Sequence, residues 1–467
     1  MNNLKLEKFK QEIYGKKVAV LGIGVSNIPA IEYLNSVGAI ITACDKKDKL
    51  GDECAKLCDL NISFNLGENY LSNLTSYDYI LRSPGIKPFT KEIEEAKEKG
   101  VIITSEVELL VSLCPCKIIG ITGSDGKTTT TTLVSKFLKE AGFNVHLGGN
   151  IGTPLFSKLD EMNENDIVVL ELSSFQLMTM DDSPTISCIT NISPNHLDYH
   201  RSYDEYVLSK ANVFLHQKNG VIVLNADNNF TTGYLNLIKS NNINSSIRKF
   251  SVIDKIDNGV YLDKGYIVSN VNKNIQQIAK ISDVKLVGIH NLANICAAAS
   301  CVIDITGIEA ITSVITTFTG VEHRMELFRT INGVNWFNDS IGTSPARTIA
   351  GLVSFNEKII LITGGYDKNI PYDDIGKYII DKVKVLILLG KTAPKIEKAV
   401  LDEKLKQGID NICEIINFAT LEECVKYANN ISKSGDNVVL SPASASFDMY
   451  KNFEERGDYF KMLVNNI

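Results

Sequence analysis

Residues 120–132 read GITGSDGKTTTTT, and no other stretch constrains the fold of this chain more. The apolar run CKII precedes it and the amphipathic pattern LVSKFLKEAG follows, so the order is strand, glycine loop, helix. A strand that passes straight into a helix opens a βαβ crossover, which implies an α/β architecture with a mainly parallel sheet. In such a loop the backbone amides of Gly123, Ser124, Asp125, Gly126 and Lys127 point inward around phosphate oxygens. Lys127 supplies a charge for the β and γ phosphates, and Thr128 offers a hydroxyl to magnesium. The usual pattern has a glycine where this chain has Ile121, so the loop is a variant. Triphosphate binding is the expectation, but a kinase, a motor, a switch and a ligase all hold phosphates this way.

The chain has 467 residues, which is too long for one ordinary core and suggests two to four domains. The N-terminal segment KKVAVLGIGVSNIPAIEYLNSVGAIITACDKKD predicts a strand over Val18–Leu21, a turn at Gly22 and Gly24, a helix, and a second strand ending at Asp45. That is a βαβ unit of the dinucleotide-binding kind with Asn27 at the third glycine position, a weak signal that a turn without ligand explains equally well. A further strand over Tyr77–Leu81 leads to the turn Ser83-Pro84-Gly85. A second α/β segment begins near Ser105, with DIVVLELSS and TISCITNIS as buried parallel strands. The Asn-rich stretch from about Ser240 to Lys285 contains a hairpin around Asp263–Gly265. A third α/β pattern follows, with strands in NEKIILITGG, VKVLILLG and DNVVLSPAS.

Hydrophobic residues make up 44% and charged residues 22%, the balance of a globular protein, and the net charge of −7 offers no cationic field to nucleic acid or an anionic membrane. The N-terminus lacks a signal-peptide core and no run of 18 or so apolar residues stands out, so a cytoplasmic location is expected. The ten cysteines are scattered; only Cys54/Cys58 and Cys114/Cys116 lie close, without zinc-site spacing, and reduced thiols are the expectation. A magnesium nucleotide site needs a carboxylate from a neighbouring strand, and Glu171 ends one. The next strand is followed by His196, Asp198 and His200, with Lys210 on a helix beyond. Each alone is more often structural, and the set gains meaning only from its position.

The ordered segments GSDGKTT, LELSSFQL, NISPNHLDYH, YVLSKANVF, GIHNLANICAA, HRMEL, WFNDSIGTSPART, LITGGYDK and LSPASASFDMYKNFEERGDYF resemble the motifs of the Mur ligases over nearly the whole chain. The last three resemble most the branch that adds D-glutamate. The resemblance implies three domains. Residues 1–104 form a Rossmann-like domain for a UDP group, 105–320 a P-loop ATPase-like domain, and 321–467 a C-terminal Rossmann-like domain for the amino acid. It implies Val25, Ser26, Asp45, Lys46, Ser83 and Gly85 at the UDP group, and Asn150, Ser173, Gln176 and His196 along the muramoyl-alanine path. ATP would meet the loop residues Gly123–Thr128 with Thr129, then Asn291 and Asn294 at adenine, Arg324 at phosphate and Asp339 at ribose. Thr343, Lys368, Ser446, Phe447 and Phe453 would face D-glutamate. Thr128, Glu171, His196 and Lys210 would hold magnesium, with Lys210 carbamylated. Ile341 stands where some family members carry lysine, and the nearby Arg347 invites a compensating role.

The implied reaction is ATP-dependent amide formation in a monomer. The carboxylate of UDP-N-acetylmuramoyl-L-alanine takes the γ-phosphoryl group, with Lys127, Lys210, His196 and Arg324 as catalytic residues. The amine of D-glutamate then displaces phosphate. Domain closure about a hinge near Thr319 to Glu322 would keep water from the acyl phosphate. The alternatives are another Mur ligase, a folylpolyglutamate synthase-like ligase, or a non-ligase P-loop ATPase that hydrolyses ATP without any amino acid.

Overall fold

The computed structural model describes residues 3–24, 26–193, 199–286, 288–367, 370–409 and 412–467. Two compact units divide between Thr317 and Phe318. Among the described residues the strands form three sheets, two in the first unit and one in the second.

The first sheet comprises β1 (Lys17–Leu21), β2 (Ile40–Asp45), β3 (Ser63–Leu66), β4 (Tyr79–Arg82) and β5 (Ile102–Thr104), in the order β3-β2-β1-β4-β5 and wholly parallel. The order reverses beside β1, which is where an open α/β sheet leaves a crevice at its strand ends. The turn after β1 is pinned by Asn27, whose Nδ2 donates to Gly22 O at 2.8 Å and Leu21 O at 3.3 Å. This buried amide explains why a third glycine is not needed there. Gly22 itself sits at φ 85°, with Ser83 where a Cβ would go.

The second sheet contains β6 (Lys117–Thr122), β7 (Val145–Gly149), β8 (Ile167–Glu171), β9 (Ile186–Ile189), β10 (Val221–Asn225), β11 (Ser246–Ser251), β12 (Gly259–Asp263), β13 (Tyr266–Val271) and β14 (Asn274–Lys280). Its order is β14-β13-β12-β11-β10-β9-β6-β8-β7, and only the β12-β13-β14 meander is antiparallel. The meander includes the hairpin expected around Asp263–Gly265, turning through Lys264 at φ 48° and Gly265 at φ 83°. Helix Ile289–Ile315 is long and apolar enough to cross a membrane. It instead buries Asn294–Ile303 inside this unit alongside helix Lys127–Glu140 and breaks at Gly307.

One apolar core runs through both sheets of the first unit, from Val18 and Val20 on β1 to Val168 and Leu170 on β8. Helix Leu4–Ile13 joins them: Leu6, Phe9 and Ile13 are buried, Phe9 meets the buried Phe156 edge-on at 6.2 Å, and Asn3 Nδ2 donates to Leu113 O at 2.7 Å. Full burial of an aromatic ring such as Phe156 contributes about 2–3 kcal/mol.

The second unit holds β15 (Glu326–Ile331), β16 (Val334–Asn338), β17 (Ile359–Thr363), β18 (Val383–Leu388), β19 (Glu414–Asn417) and β20 (Asn437–Leu440). The order is β15-β16-β20-β17-β18-β19, parallel apart from the β15-β16 hairpin. The hairpin is absent from the sequence reading, although Asn332 and Gly333, at φ 50° and 79°, form the Asn-Gly turn that favours one. The strand expected over Tyr77–Leu81 starts two residues later, at Tyr79.

Candidate functional site

The ends of β6, β8 and β9 assemble the phosphate-loop side of the first unit. Register places Ile121 beside Glu171, and Thr122 beside Ile189. Gly123 lies at φ 150°, and a Cβ there would collide with Thr190 Oγ1 and the Asn191 backbone. Gly126 lies at φ 79°, with Asn294 Oδ1 where a Cβ would go. The loop is therefore held from behind: Thr190 Oγ1 donates to Asp125 O at 2.6 Å, Asp125 N to Asn191 Oδ1 at 2.8 Å, and Ser124 N to Asn191 O at 3.0 Å. The Ser124 hydroxyl shares a 2.7 Å hydrogen bond with Tyr206 and accepts from Ser193 N at 2.9 Å.

Helix Lys127–Glu140 starts where the loop ends, so its first amides carry the positive end of the helix dipole. Lys127 Nζ donates to Gly123 O at 3.0 Å and Ser124 O at 2.8 Å, which keeps its charge over the loop. Thr128 is buried and Thr129 partly exposed at the helix start. Asn294 Nδ2 donates to Asn291 Oδ1 at 3.3 Å, and Thr130 Oγ1 donates to Asn294 Oδ1 at 3.4 Å, so the two expected adenine-side residues touch each other and the loop helix.

Glu171 is 2% exposed. Its Oε1 accepts from Asn150 Nδ2 at 2.8 Å, while Oε2 has no hydrogen-bond partner among the described residues. Leaving a buried carboxylate oxygen unmatched costs on the order of several kcal/mol, which a cation would offset. Lys210, also 2% exposed, donates to Gly123 O at 2.8 Å and Thr122 Oγ1 at 3.3 Å. Burial, reinforced by the Lys127 charge, holds its amine well below the ordinary lysine range, against the opposing pull of Asp125 and Glu171. The donor set of buried carboxylate, hydroxyl and cradle of amides fits a magnesium-bound triphosphate. His196 lies outside the described residues; His200 is buried and shares a 2.9 Å hydrogen bond with Ser174 Oγ.

A cavity of about 400 Å³ opens between the strand ends of the first unit's two sheets. Ser26, Ser83 and Gly85 line it from one sheet, and Asn150, Ser173 and Gln176 from the other. Six residues expected along one substrate thus share one cavity. Ser173 and Gln176 hold each other in a capping box: Ser173 N donates to Gln176 Oε1 at 2.9 Å, and Gln176 N to Ser173 Oγ at 3.3 Å. Asp45 supports the glycine turn, accepting from Ile23 N at 2.8 Å and Lys47 N at 2.9 Å. Lys46 is exposed, and Val25 lies outside the described residues.

Several residues that hold this site were not singled out from sequence. Buried Arg82, at the end of β4, donates to Ile86 O at 2.5 Å and Thr179 Oγ1 at 3.1 Å, tying the Ser83–Ile86 turn to the segment after β8 that carries helix Ser174–Leu177. Tyr199 OH donates to Pro84 O at 2.8 Å. Glu106 lines the cavity; burial pushes its carboxyl up, although Leu155 and Phe156 amides donate to it. A charged residue closing an apolar strand, as Arg82 does, was the available signal.

In the second unit the candidates gather at the ends of β16 and β20. Asp339 is 4% exposed; its Oδ2 accepts from Ser441 Oγ at 2.6 Å and its Oδ1 from Met325 N at 3.2 Å. Burial nevertheless pushes its carboxyl up to about 6. Arg324 is flanked by His323 and Met325, which adopt φ of 60° and 43°. Such conformations cost about 1–3 kcal/mol each and persist only where contacts impose them. Here Asn338 Nδ2 donates to His323 Nδ1 at 2.9 Å. Buried Arg456 binds Ser340 Oγ at 3.0 Å and the Ser444 and Ala445 carbonyls at 3.1 and 3.0 Å, joining the loops that carry Thr343 and Ser446. Ser340 Oγ also donates to Phe453 O at 2.7 Å. Ser446 is buried, Phe447 is exposed and meets Tyr366 edge-on at 5.9 Å, and Lys368 lies outside the described residues. Arg347 donates to Ile341 O at 3.3 Å.

Comparison with known proteins matches three family descriptions along the chain: Mur ligase MurD-like, N-terminal domain, over residues 16–105; Mur ligase middle domain over 121–302; and Mur ligase, glutamate ligase domain, over 323–444. The UDP-N-acetylmuramoylalanine--D-glutamate ligase of Acetivibrio thermocellus is 50% identical, covering 100% of this chain and 99% of its own. The enzyme of that name from Ruminiclostridium cellulolyticum is 48% identical over 100% of both. Among solved structures, the UDP-N-acetylmuramate-alanine ligase of Thermotoga maritima superposes with a TM-score of 0.56, covering 97% of this chain and 99% of that one, at 17% identity that speaks for the fold alone. Three successive family matches and half-identity to full-length relatives make one conclusion plain: this chain belongs to the Mur ligase family.

Proposed function

We infer that this protein is the ATP-dependent ligase that joins D-glutamate to UDP-N-acetylmuramoyl-L-alanine in peptidoglycan precursor synthesis. The names of its full-length relatives support that reading. One structural observation carries it: Asn150 both lines the 400 Å³ cavity and hydrogen-bonds Glu171, whose other oxygen is unmatched among the described residues and lies on the phosphate-loop side. A carboxylate held in the cavity would therefore lie next to the place where a triphosphate is cradled. The reading carries with it a cytoplasmic monomer that acts on small molecules.

In this account the loop amides and Lys127 hold the triphosphate of ATP, and Asn291 and Asn294 lie on its adenine side. Arg324 and Asp339 take the phosphate and ribose roles. Ser26, Ser83 and Gly85 face the UDP end of the acceptor, and Asn150, Ser173 and Gln176 the muramoyl-alanine end. Thr128, Glu171 and a carbamylated Lys210 would hold magnesium. When bound, that ion screens charge between the phosphates and the incoming carboxylate. The neutral Lys210 amine is the form able to add carbon dioxide, and burial shifts the lysine toward it. The substrate carboxylate attacks the γ-phosphorus to give an acyl phosphate, and preorganised amides and cations stabilise the charge without reorganising. The amine of D-glutamate, held by Thr343, Lys368, Ser446 and Phe447 with Phe453 nearby, then attacks the acyl carbon and expels phosphate.

Phosphate release from ATP in the presence of UDP-N-acetylmuramoyl-L-alanine, assayed with a panel of amino acids, tests this reading. Release should require both the sugar nucleotide and D-glutamate. Equal release with L-glutamate, with a diamino acid or with no amino acid would point instead to another ligase or to a plain ATPase.

A further inference from the structure

Helix Glu106–Leu113 ends in Cys114-Pro115-Cys116, which leads directly into β6. Proline cannot continue the helix and drives the residue before it to extended backbone; Cys114 takes φ −60°, ψ 130°. The turn brings the two sulfurs to 3.3 Å, against about 2.05 Å in a disulfide. Both cysteines line a surface cleft of about 230 Å³, together with Lys5, Val111, Asp182 and Thr185. Cys116 is partly exposed, whereas seven of the other eight cysteines are buried and the remaining one, Cys58, is exposed without this pairing. The pair lies at the opposite end of β6 from the phosphate loop, so the activity proposed above makes no use of it. The hydrogen bond from the Cys116 thiol, with help from Lys5, draws the Cys114 thiol below its ordinary range despite burial.

We propose that Cys114-Pro115-Cys116 is a thiol–disulfide exchange site that accepts small organic disulfides from the cleft. The Cys114 thiolate attacks one sulfur of the disulfide RSSR, breaking its S–S bond, releasing RS⁻ and leaving a mixed disulfide Cys114–S–S–R. Cys116 gives its proton to the departing RS⁻ and attacks the Cys114 sulfur, expelling the second RS⁻. The protein dithiol loses two electrons to become a disulfide, and the organic disulfide gains them to become two thiols.

The test uses the native full-length chain incubated with hydroxyethyl disulfide, acid-quenched, alkylated after denaturation and digested with trypsin. Residues 100–117 form one tryptic peptide that contains both cysteines and no others. The wild-type peptide should appear unalkylated and two hydrogens lighter. In Cys116→Ser the same peptide should carry one hydroxyethylthio group on Cys114. A wild-type peptide alkylated on both cysteines, or one bearing two mixed disulfides, would overturn the proposal, and the wild-type result decides even where the variant folds poorly.

Discussion

Lys210 shows what a single residue can carry. An ammonium placed where this amine sits would lose its hydration, and carbonyl and hydroxyl acceptors compensate only part of that loss. The folded protein therefore lowers the lysine pKa, and the amine takes up a proton only as pH falls. Carbamate formation needs the unprotonated amine, so it should be strongest in mildly alkaline solution and fade toward acid. With ¹³C-bicarbonate, wild type should give a carbamate carbon resonance that Lys210→Arg lacks; identical spectra would remove the carbamate from the account. The sequence offers Lys210 only as a helix lysine after a strand, because its burial depends on Tyr206 and the loop carbonyls folding over it. Asn191 stayed unread for the same reason, since its hold on Asp125 exists only through a contact distant in sequence.

At the scale of elements, the phosphate loop depends on two glycines for different reasons. A side chain at Gly123 meets Thr190 and the Asn191 backbone, neither of which can move without disturbing β9 and its loop. Gly123→Ala should cost on the order of 3 kcal/mol and lower the melting temperature by several degrees. At Gly126 the obstacle is the Asn294 side chain, which can swing aside, so the backbone term of about 1–2 kcal/mol is the main structural cost. Gly126→Ala should stay folded yet bind a non-hydrolysable ATP analogue at least tenfold more weakly, because Asn294 is displaced. Calorimetric melting and titration separate the two cases, and equal effects of both variants on melting would contradict this assignment. The strand–loop–helix order was legible because glycine, lysine and the helical period are local signals. The β15–β16 hairpin had a local signal too, in Asn332-Gly333, but its strands lack the continuous apolar runs that marked their neighbours.

For the whole molecule, three α/β patterns in the sequence correspond to three sheets, while the compact units number two. The difference has a physical cause: helix Leu4–Ile13 and the Phe156 region fuse the first two sheets into one core, and fusion of that kind leaves no trace in local pattern. The fused strand ends create the cavity that the proposed function gives to the acceptor's carboxylate, linked to the phosphate-loop side through the Asn150–Glu171 hydrogen bond. The central claim is that this carboxylate is activated by taking the phosphoryl group itself. UDP-N-acetylmuramoyl-L-alanine labelled with ¹⁸O in both carboxylate oxygens, turned over with ATP and D-glutamate, tests that claim most directly. The account predicts that each released phosphate carries one ¹⁸O and that the new amide keeps the other; unlabelled phosphate would contradict it.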